Sequence, residues 1–441
     1  MKKLRYLFPL LSLLLIGALL LPLVGCAGGS SDSSEPASSD NTSSEVTSSE
    51  NPSSDTSSTN TEPVSVDDAF RKSQTDLAVK LFRRSYQNDT KRNTLLSPLS
   101  VSMALSMTAN GAGGQTKTEL EQLLGGGVSL EELNQSLLAY TKSLPDGEGY
   151  KFHLANSIWL RDDDRLSISE DFLKANQDLF DAQVYQKPFD DSTAQEINSW
   201  VKEHTDGMIE KIINQINPDE IMYLINALAF DAEWAEPYEK DAATDDTFTS
   251  IDGKKQDVKM MHSTEWTYLS DDNATGFIKP YKNGTYSFAA LLPNEGISLE
   301  DYIASLTGES LQKTFKNASG EEVVASMPKF KFDYDLSMKE VLSDLGIPTA
   351  FDSAAADFSG IGVSKEGNLF IGDVLHKTHI DVDENGTKAA AVTVVTIKEA
   401  TAMLDEPEPK YVKLDRPFVF MILDNENQLP IFIGAVTDLS K

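Results

Sequence analysis

The chain has 441 residues, 40% of them hydrophobic and 24% charged, which allows one large domain or two to three ordinary ones. Its formal net charge of −31 excludes a nucleic-acid binder, which needs a basic face, and simple adsorption to anionic lipid. With a single cysteine, Cys26, it forms no intrachain disulfide, and the folded part holds no Cys-based metal cluster or Cys/His catalytic site.

The first predicted element is an address. Lys2, Lys3 and Arg5 precede an apolar run over residues 6–24, which ends Leu23-Val24-Gly25-Cys26. A basic start and an apolar stretch make a secretory signal. The small residues before the lone cysteine resemble a bacterial lipobox, which implies a signal peptide over 1–25, cleavage before Cys26 and lipidation of its thiol. The protein is then extracellular and held to the cell membrane by lipid alone. The competing reading is a spanning anchor, since about 19 apolar residues almost cross a bilayer. Pro22, near the end of the run, favours the cleaved signal. Residues 26–62 read as the lipidated cysteine followed by a disordered tether of Ser, Thr, acids and Pro, carrying seven acids and no bases. About 36 such residues span roughly 33 Å.

From residue 63 to 441 the pattern is that of one α+β domain. Phe70, Leu77, Val79, Leu81 and Phe82 recur at broadly helical period. In "NTLLSPLSVSMAL", Ser97 caps a helix, Pro98 takes its first position, and Val101, Ala104, Leu105 and Thr108 form a stripe. Gly111 to Gly114 closes that helix, and Thr116-Lys117-Thr118-Glu119 reads as a capping box for the next. The glycines before Lys117 lack the spacing of a phosphate loop. "HLANSIWL" is strand-like. "STAQEINSWVKEHTDGMIEKII" reads as a helix broken at Gly207. "IMYLINALAFDAEW" and "YSFAALLPNEG" are near-continuous apolar runs, as buried central strands would be. The methionines of "VKMMHS" read as core packing rather than a copper site. "SMKEVLSDLG" is a short helix, and "RPFVFMILDNENQLPIFIGAVTD" a hairpin turning at Asp424-Asn425-Glu426-Asn427.

Residues 379–418 change character halfway. Ile380 and Val382 alternate with Asp381 and Asp383, as in a strand, and Glu384-Asn385-Gly386 follows as a turn. Small and β-branched residues then run from 387 to 395, and lead into an acidic, Pro-rich stretch that reads as exposed loop. Of the five histidines, His376 and His379 lie three apart in this strand, so they point to opposite faces and chelate poorly.

These motifs, with "LINALAFDAEW", "MPKFKFDYDLSMKEVLSDLGI", "ADFSGI" and "VLHKTHIDVDENGTKAAA", fall in the order and spacing of the serpin family, so the chain resembles a serpin from about residue 65 onward. The resemblance implies a fold of three β-sheets with a helical cluster and an exposed reactive-centre loop. It implies a suicide inhibitor of serine proteases, not an enzyme; no Gly-x-Ser-x-Gly elbow is present for a Ser/His hydrolase. By this analogy Glu384, Gly386, Thr387, Ala389, Ala390 and Ala391 form the hinge of a segment, 387–395, that inserts as a new strand once a protease has cut the loop. Thr387, Ala389, Ala391, Thr393 and Val395 would face the core, with Lys388 out of that register. The analogy assigns Ser97, Ser100, Asn226 and His376 to the shutter and Trp234 to the breach. Counting from Glu384 places the cut between Ala400 and Thr401, with Ala402, Met403 and Leu404 as alternatives, because the acidic segment before "KLDRPF" is about six residues longer than in plasma inhibitors. Small apolar-leaning residues here imply an elastase-like or subtilisin-like target, and disfavour a trypsin-like one. A monomer without cofactor or metal is expected, and no basic cluster marks a heparin-type site. The alternative is a non-inhibitory serpin-fold binding protein at the cell surface.

Overall fold

The computed structural model describes residues 66–144, 147–217, 220–239, 243–387 and 408–440, all within a compact unit that spans Thr61–Lys441. Cys26, the signal and tether, Ala389 to Ala391, and the scissile-bond candidates from Ala400 to Leu404 lie outside the described residues.

The elements run α1 (Asp68–Asn88), β1 (Thr94–Leu96), α2 (Pro98–Ala109), α3 (Gly114–Gly125), α4 (Leu130–Ser143), β2 (Tyr150–Arg161), β3 (Leu166–Ile168), α5 (Glu170–Phe180), β4 (Gln183–Lys187) and α6 (Asp191–His204). They continue with β5 (Met222–Glu233), β6 (Ala243–Thr249), β7 (Lys255–Glu265), β8 (Tyr268–Ser270), β9 (Ala274–Pro280), β10 (Tyr286–Pro293), α7 (Leu299–Ser305), α8 (Gly308–Lys316), β11 (Val323–Pro328) and β12 (Phe330–Ser337). The last are α9 (Lys339–Asp344), β13 (Gly362–Ser364), β14 (Leu375–Val382), β15 (Gly386–Thr387), β16 (Lys410–Lys413), β17 (Phe418–Asp424) and β18 (Leu429–Val436).

These strands form three main sheets. The first is ordered β1-β18-β17-β10-β9-β8, the second β16-β11-β7-β6, and the third β12-β14-β15-β5-β2-β4; β13 and β3 make a separate pair. Every residue of β10, β17 and β18 is buried, which explains why these strands read as unbroken apolar runs rather than alternating ones. The third sheet is apolar on both faces at β2 and β5, whereas β12 and β14 turn Lys331, Asp333, Lys377, His379 and Asp381 outward. Leu228, Phe230 and Ala232 of β5 join the main core, whereas Ile225 and Ala227 face a second cluster with Ile197, Trp200 and Val201 of α6 and with Ile209, Ile213 and Ile216 beyond it. Residues 191–216 thus lie as a strap over one face of β2 and β5.

Several sequence expectations are corrected. Helix α2 is buried on nearly all sides, Ser102 and Ser106 included, instead of along one stripe, because it lies at the centre of the helical cluster. The next helix starts at Gly114, with Gly113 as an N-cap that has no side-chain bond. Thr116 is not its cap: the hydroxyl is buried and accepts the Asp357 N–H at 2.9 Å. No helix resumes after Gly207. There Asn198 of α6 accepts the backbone N–H groups of Ile212 and Ile213 at 2.8 and 3.1 Å and donates to the Ile213 carbonyl at 2.9 Å, so one side chain satisfies backbone groups that a helix would otherwise pair. Met260 and Met261 are fully buried in the second sheet.

Candidate functional site

The chain turns sharply at the end of β14. The Asp383 N–H donates to the Gly386 carbonyl at 3.0 Å, while the Asp383 carboxylate accepts the Asn385 and Gly386 N–H groups at 2.7 and 3.3 Å. This Asx-type turn brings Gly386 and Thr387 back as β15, wedged between β14 and β5. Gly386 pairs with Glu233, and Thr387 with Ala232 on one side and Val382 on the other. A Cβ on Gly386 would lie 2.0 Å from the Ala232 carbonyl oxygen, so the close approach of the two backbones requires glycine.

An aromatic floor holds this turn. The Trp234 indole N–H donates to the Asp383 carbonyl at 2.9 Å, and the ring stacks on Tyr281 at 4.5 Å with an interplanar angle of 6°. Thr387 is buried, and its hydroxyl lies 2.5 Å from the Tyr281 hydroxyl. The backbone N–H groups of Trp234 and Tyr238 donate to the carbonyls of Asn385 and Glu384. Glu384 forms an ion pair with Lys329, which holds its carboxyl below the usual glutamate value. Beneath Trp234, the ammonium of Lys279 lies 4.4 Å from the Tyr238 ring centre and 2.8 Å from the Glu265 carboxylate, with both charged side chains buried. Such a buried pair is tolerated only because further contacts satisfy it: Lys279 also donates to the Glu236 carbonyl at 3.1 Å, and Glu265 accepts the Ser263 hydroxyl at 2.6 Å.

Because β15 is antiparallel to both neighbours, β14 and β5 run parallel to each other. Among the described residues they are joined in the sheet only through β15. Below it they flank a cavity of about 780 Å³, lined by Ala104, Ile213, Leu224, Asn226, Phe370 and His376 among others.

The cluster read as a shutter lies at this cleft. Ser97 caps α2, its hydroxyl accepting the Ser100 N–H at 3.2 Å. The Ser97 N–H in turn donates to Nε2 of His376 at 3.2 Å, so that nitrogen carries no proton and the ring is neutral. Burial pushes the His376 imidazole down to about 4. Asn226 is not bonded to either residue: its amide donates to Asn156 across β2 at 2.8 Å, and its Oδ1 is buried with no partner among the described residues. His379 points to the other face and meets Asp333 at 2.7 Å. Sequence reading missed Asn156, whose role depends on the pairing of Asn156 with Asn226 across two strands. It also missed Tyr281, in a turn after β9 where no periodicity marks it.

Three comparisons bear on this arrangement. Residues 72–439 match the family model described as Serpin (serine protease inhibitor). An uncharacterized serpin-like protein of Thermococcus kodakarensis is 33% identical over 78% of this chain and 80% of its own. Leukocyte elastase inhibitor of Equus caballus is 30% identical over 82% of this chain and 97% of its own. Among solved structures, the thermophilic serpin Tengpin in its native state is 48% identical, superposes with a TM-score of 0.80 and is covered over 95% of its length by 85% of this chain. A fold of three principal sheets, matched along nearly all of the described chain by sequence and by structure, leaves one conclusion: this chain belongs to the serpin family.

Proposed function

We propose that the chain inhibits serine proteases as a suicide substrate. The observation that carries this is the cleft between parallel β5 and β14, with Thr387 already seated at its top. Continuing the observed register down the cleft would bring residue 389 between Phe230 and Ile380, 391 between Leu228 and Thr378, and 393 between Asn226 and His376. The residues at those positions are Ala389, Ala391 and Thr393, small enough to enter, and Thr393 brings a hydroxyl to the unpartnered Asn226 Oδ1.

In this reading the protease serine attacks the Ala400 carbonyl, the bond to Thr401 breaks, and the new amino group of Thr401 leaves with the downstream chain. The ester to Ala400 remains. Residues 388–395 then insert as a strand, with Glu384–Gly386 as the pivot, and the enzyme is carried away before water can hydrolyse the ester. Cleavage at Thr401, Ala402, Met403 or Leu404 would shift the register of capture by a few residues. An elastase-like or subtilisin-like target fits these small side chains, and the curated relative named leukocyte elastase inhibitor supports the choice. The inhibitor acts as a monomer outside the cell, tethered through lipid on Cys26.

The test is incubation with an elastase-type protease followed by a denaturing gel. A protease-sized upward shift that survives boiling is expected. Cleavage with a small downshift alone refutes trapping and leaves a non-inhibitory serpin-fold binding protein.

A further inference from the structure

Glycine follows asparagine three times in the chain, at Asn110-Gly111, Asn283-Gly284 and Asn385-Gly386. Without a Cβ, glycine leaves its amide nitrogen open to the side-chain carbonyl carbon of the asparagine before it. Attack on that carbon closes a five-membered imide and expels ammonia, so each pair is a chemical weak point unless the fold restrains it. Two of the three are restrained. Asn110 is tied at both ends of its amide, donating to Asn176 at 3.0 Å and accepting from Asn134 at 2.6 Å within the helical cluster. Asn283 donates its amide to the Glu148 carbonyl at 3.1 Å, and the Gly284 N–H donates to the Tyr281 carbonyl at 3.0 Å. The partners in both cases are amides and backbone carbonyls, which neither take up nor supply a proton.

The third pair lies in the turn that feeds β15, and one carboxylate touches both of its reacting ends. Oδ1 of Asp383 accepts the Gly386 N–H, on the nitrogen that must attack, at 3.3 Å. Oδ2 accepts from the Asn385 side-chain amide, the nitrogen that must leave, at 3.4 Å. Both bonds are long, so they aim the groups without immobilising them. Asp383 is therefore placed as base for the first step and as acid for the second. The Gly386 nitrogen bonds to Cγ of Asn385 as its proton passes to Asp383. The carboxyl then gives that proton to Nδ2, the Cγ–Nδ2 bond breaks and ammonia departs. Water opens the imide at either carbonyl. One opening leaves aspartate; the other leaves isoaspartate, in which the main chain runs through the former side chain.

We propose that Asn385 is a self-modifying residue whose conversion unseats the hinge strand β15. The strand has no slack to absorb the change. Gly386 lies so close to β5 that even a methyl group would collide with the Ala232 carbonyl. Isoaspartate lengthens the chain ahead of Gly386 by one carbon, about 1.5 Å. Its freed carboxylate stands where the Asn385 carbonyl accepts the Trp234 N–H at 2.8 Å. Plain aspartate keeps the chain length but sets a second carboxylate against Asp383, beside Glu384, which already occupies Lys329. Either product favours a hinge outside the sheet. The pair thus gives the inhibitor a lifetime that needs neither an enzyme nor a ligand. The unseating stands on this geometry alone, and the loss of inhibition that follows rests on the function argued above.

The test ages the full chain in detergent micelles at neutral pH and body temperature. Each Asn-Gly pair is followed by peptide mapping and by an isoaspartate-specific methyltransferase. Asn385 should convert about tenfold faster than Asn283 in the same molecules, a modest share of what positioned acid–base groups supply. Asp383→Asn, which keeps an acceptor oxygen for the turn, should bring the two rates together. The aged fraction, separated by its extra negative charge, should melt below the fresh chain, and Asn385→Gln should show no such drop against its own fresh sample. Against an elastase-type protease, the aged fraction should need a higher stoichiometry than the fresh one. Conversion at Asn385 no faster than at Asn283, or a rate untouched by Asp383→Asn, overturns the proposal. So does a fraction modified at Asn385 that melts with the fresh chain. If the fresh chain itself fails to trap, the proposed function falls, while the mapping and the melts still decide the fate of Asn385.

Discussion

Replacing Thr387 by Arg tests the hinge most directly. Thr387 is buried at 3% exposure and shares a hydrogen bond with the Tyr281 hydroxyl, so it occupies the sheet before any cut. The substitution therefore acts twice. In the uncut protein it leaves the buried Tyr281 hydroxyl without its partner, at about 1–3 kcal/mol. An unpaired guanidinium between Val382 and Ala232 costs several kcal/mol more, so β15 leaves the sheet rather than bury it. After cleavage, the strand must enter from outside with a cation at its leading inward position. An added barrier of 2–3 kcal/mol slows insertion about 30- to 150-fold. Ester hydrolysis then outruns insertion and the inhibitor becomes a substrate. Titration of residual elastase activity against inhibitor should show the stoichiometry rising well above one, with cleaved inhibitor replacing the covalent band on the gel. Cleavage should raise the melting temperature of wild type and raise that of the variant less. Lys388→Arg, one residue out of register, should trap normally. Wild-type stoichiometry in Thr387→Arg would refute the assignment of the hinge.

Three further expectations follow from the same geometry. His376 is neutral in the fold and held near 4, below its ordinary 6.5, so between those values the unfolded chain takes up the proton first. Stability should fall as pH drops from about 6.5 towards 4, by up to ~3 kcal/mol, and His376→Asn should flatten that slope in urea melts; an unchanged slope sinks the idea. Lys279→Met should destabilise by about 3–5 kcal/mol by stranding the buried Glu265 carboxylate, and adding Glu265→Leu should recover most of the loss. Additive effects in that double-mutant cycle would show the pair is uncoupled. On the proposed lipidation, Cys26→Ser should move the protein from the membrane fraction to the soluble one, since a lipid would supply the membrane affinity; an unprocessed, membrane-bound variant would identify a spanning anchor.

Local chemistry was legible where neighbours in sequence are neighbours in space. Ser97-Pro98 starts α2, Glu384-Asn385-Gly386 turns the chain, and Asp424 to Asn427 closes the last hairpin, as their residue types dictate. Legibility ends where a distant residue decides. Thr116 looks like a cap until the Asp357 N–H claims it, and the isoleucines after Gly207 look helical until Asn198 takes their backbone groups. The residues read as a shutter do lie around one cleft, but the bond that holds Asn226 runs to Asn156, a match visible only once β2 and β5 are in register. Nor could periodicity place a lysine and a glutamate together in the core, as with Lys279 and Glu265, since each strand alone allows either face to be the buried one.

The strap over the outer face of the third sheet bears on a detail of composition. A strand that joins a sheet wetted on one side can keep every second residue polar. A strand filling the place between β5 and β14 would instead run beside Ile209 and Ile213, which already roof Ile225 and Ala227. On the β5 side its outward residues Ala390, Val392 and Val394 would therefore meet hydrocarbon as its inward ones do, while on the β14 side they would lie beside His379 and Lys377. On the proposed insertion, that is why residues 389–395 carry no charge and a single hydroxyl, that of Thr393. If the segment inserts as proposed, its composition is written for that destination rather than for water.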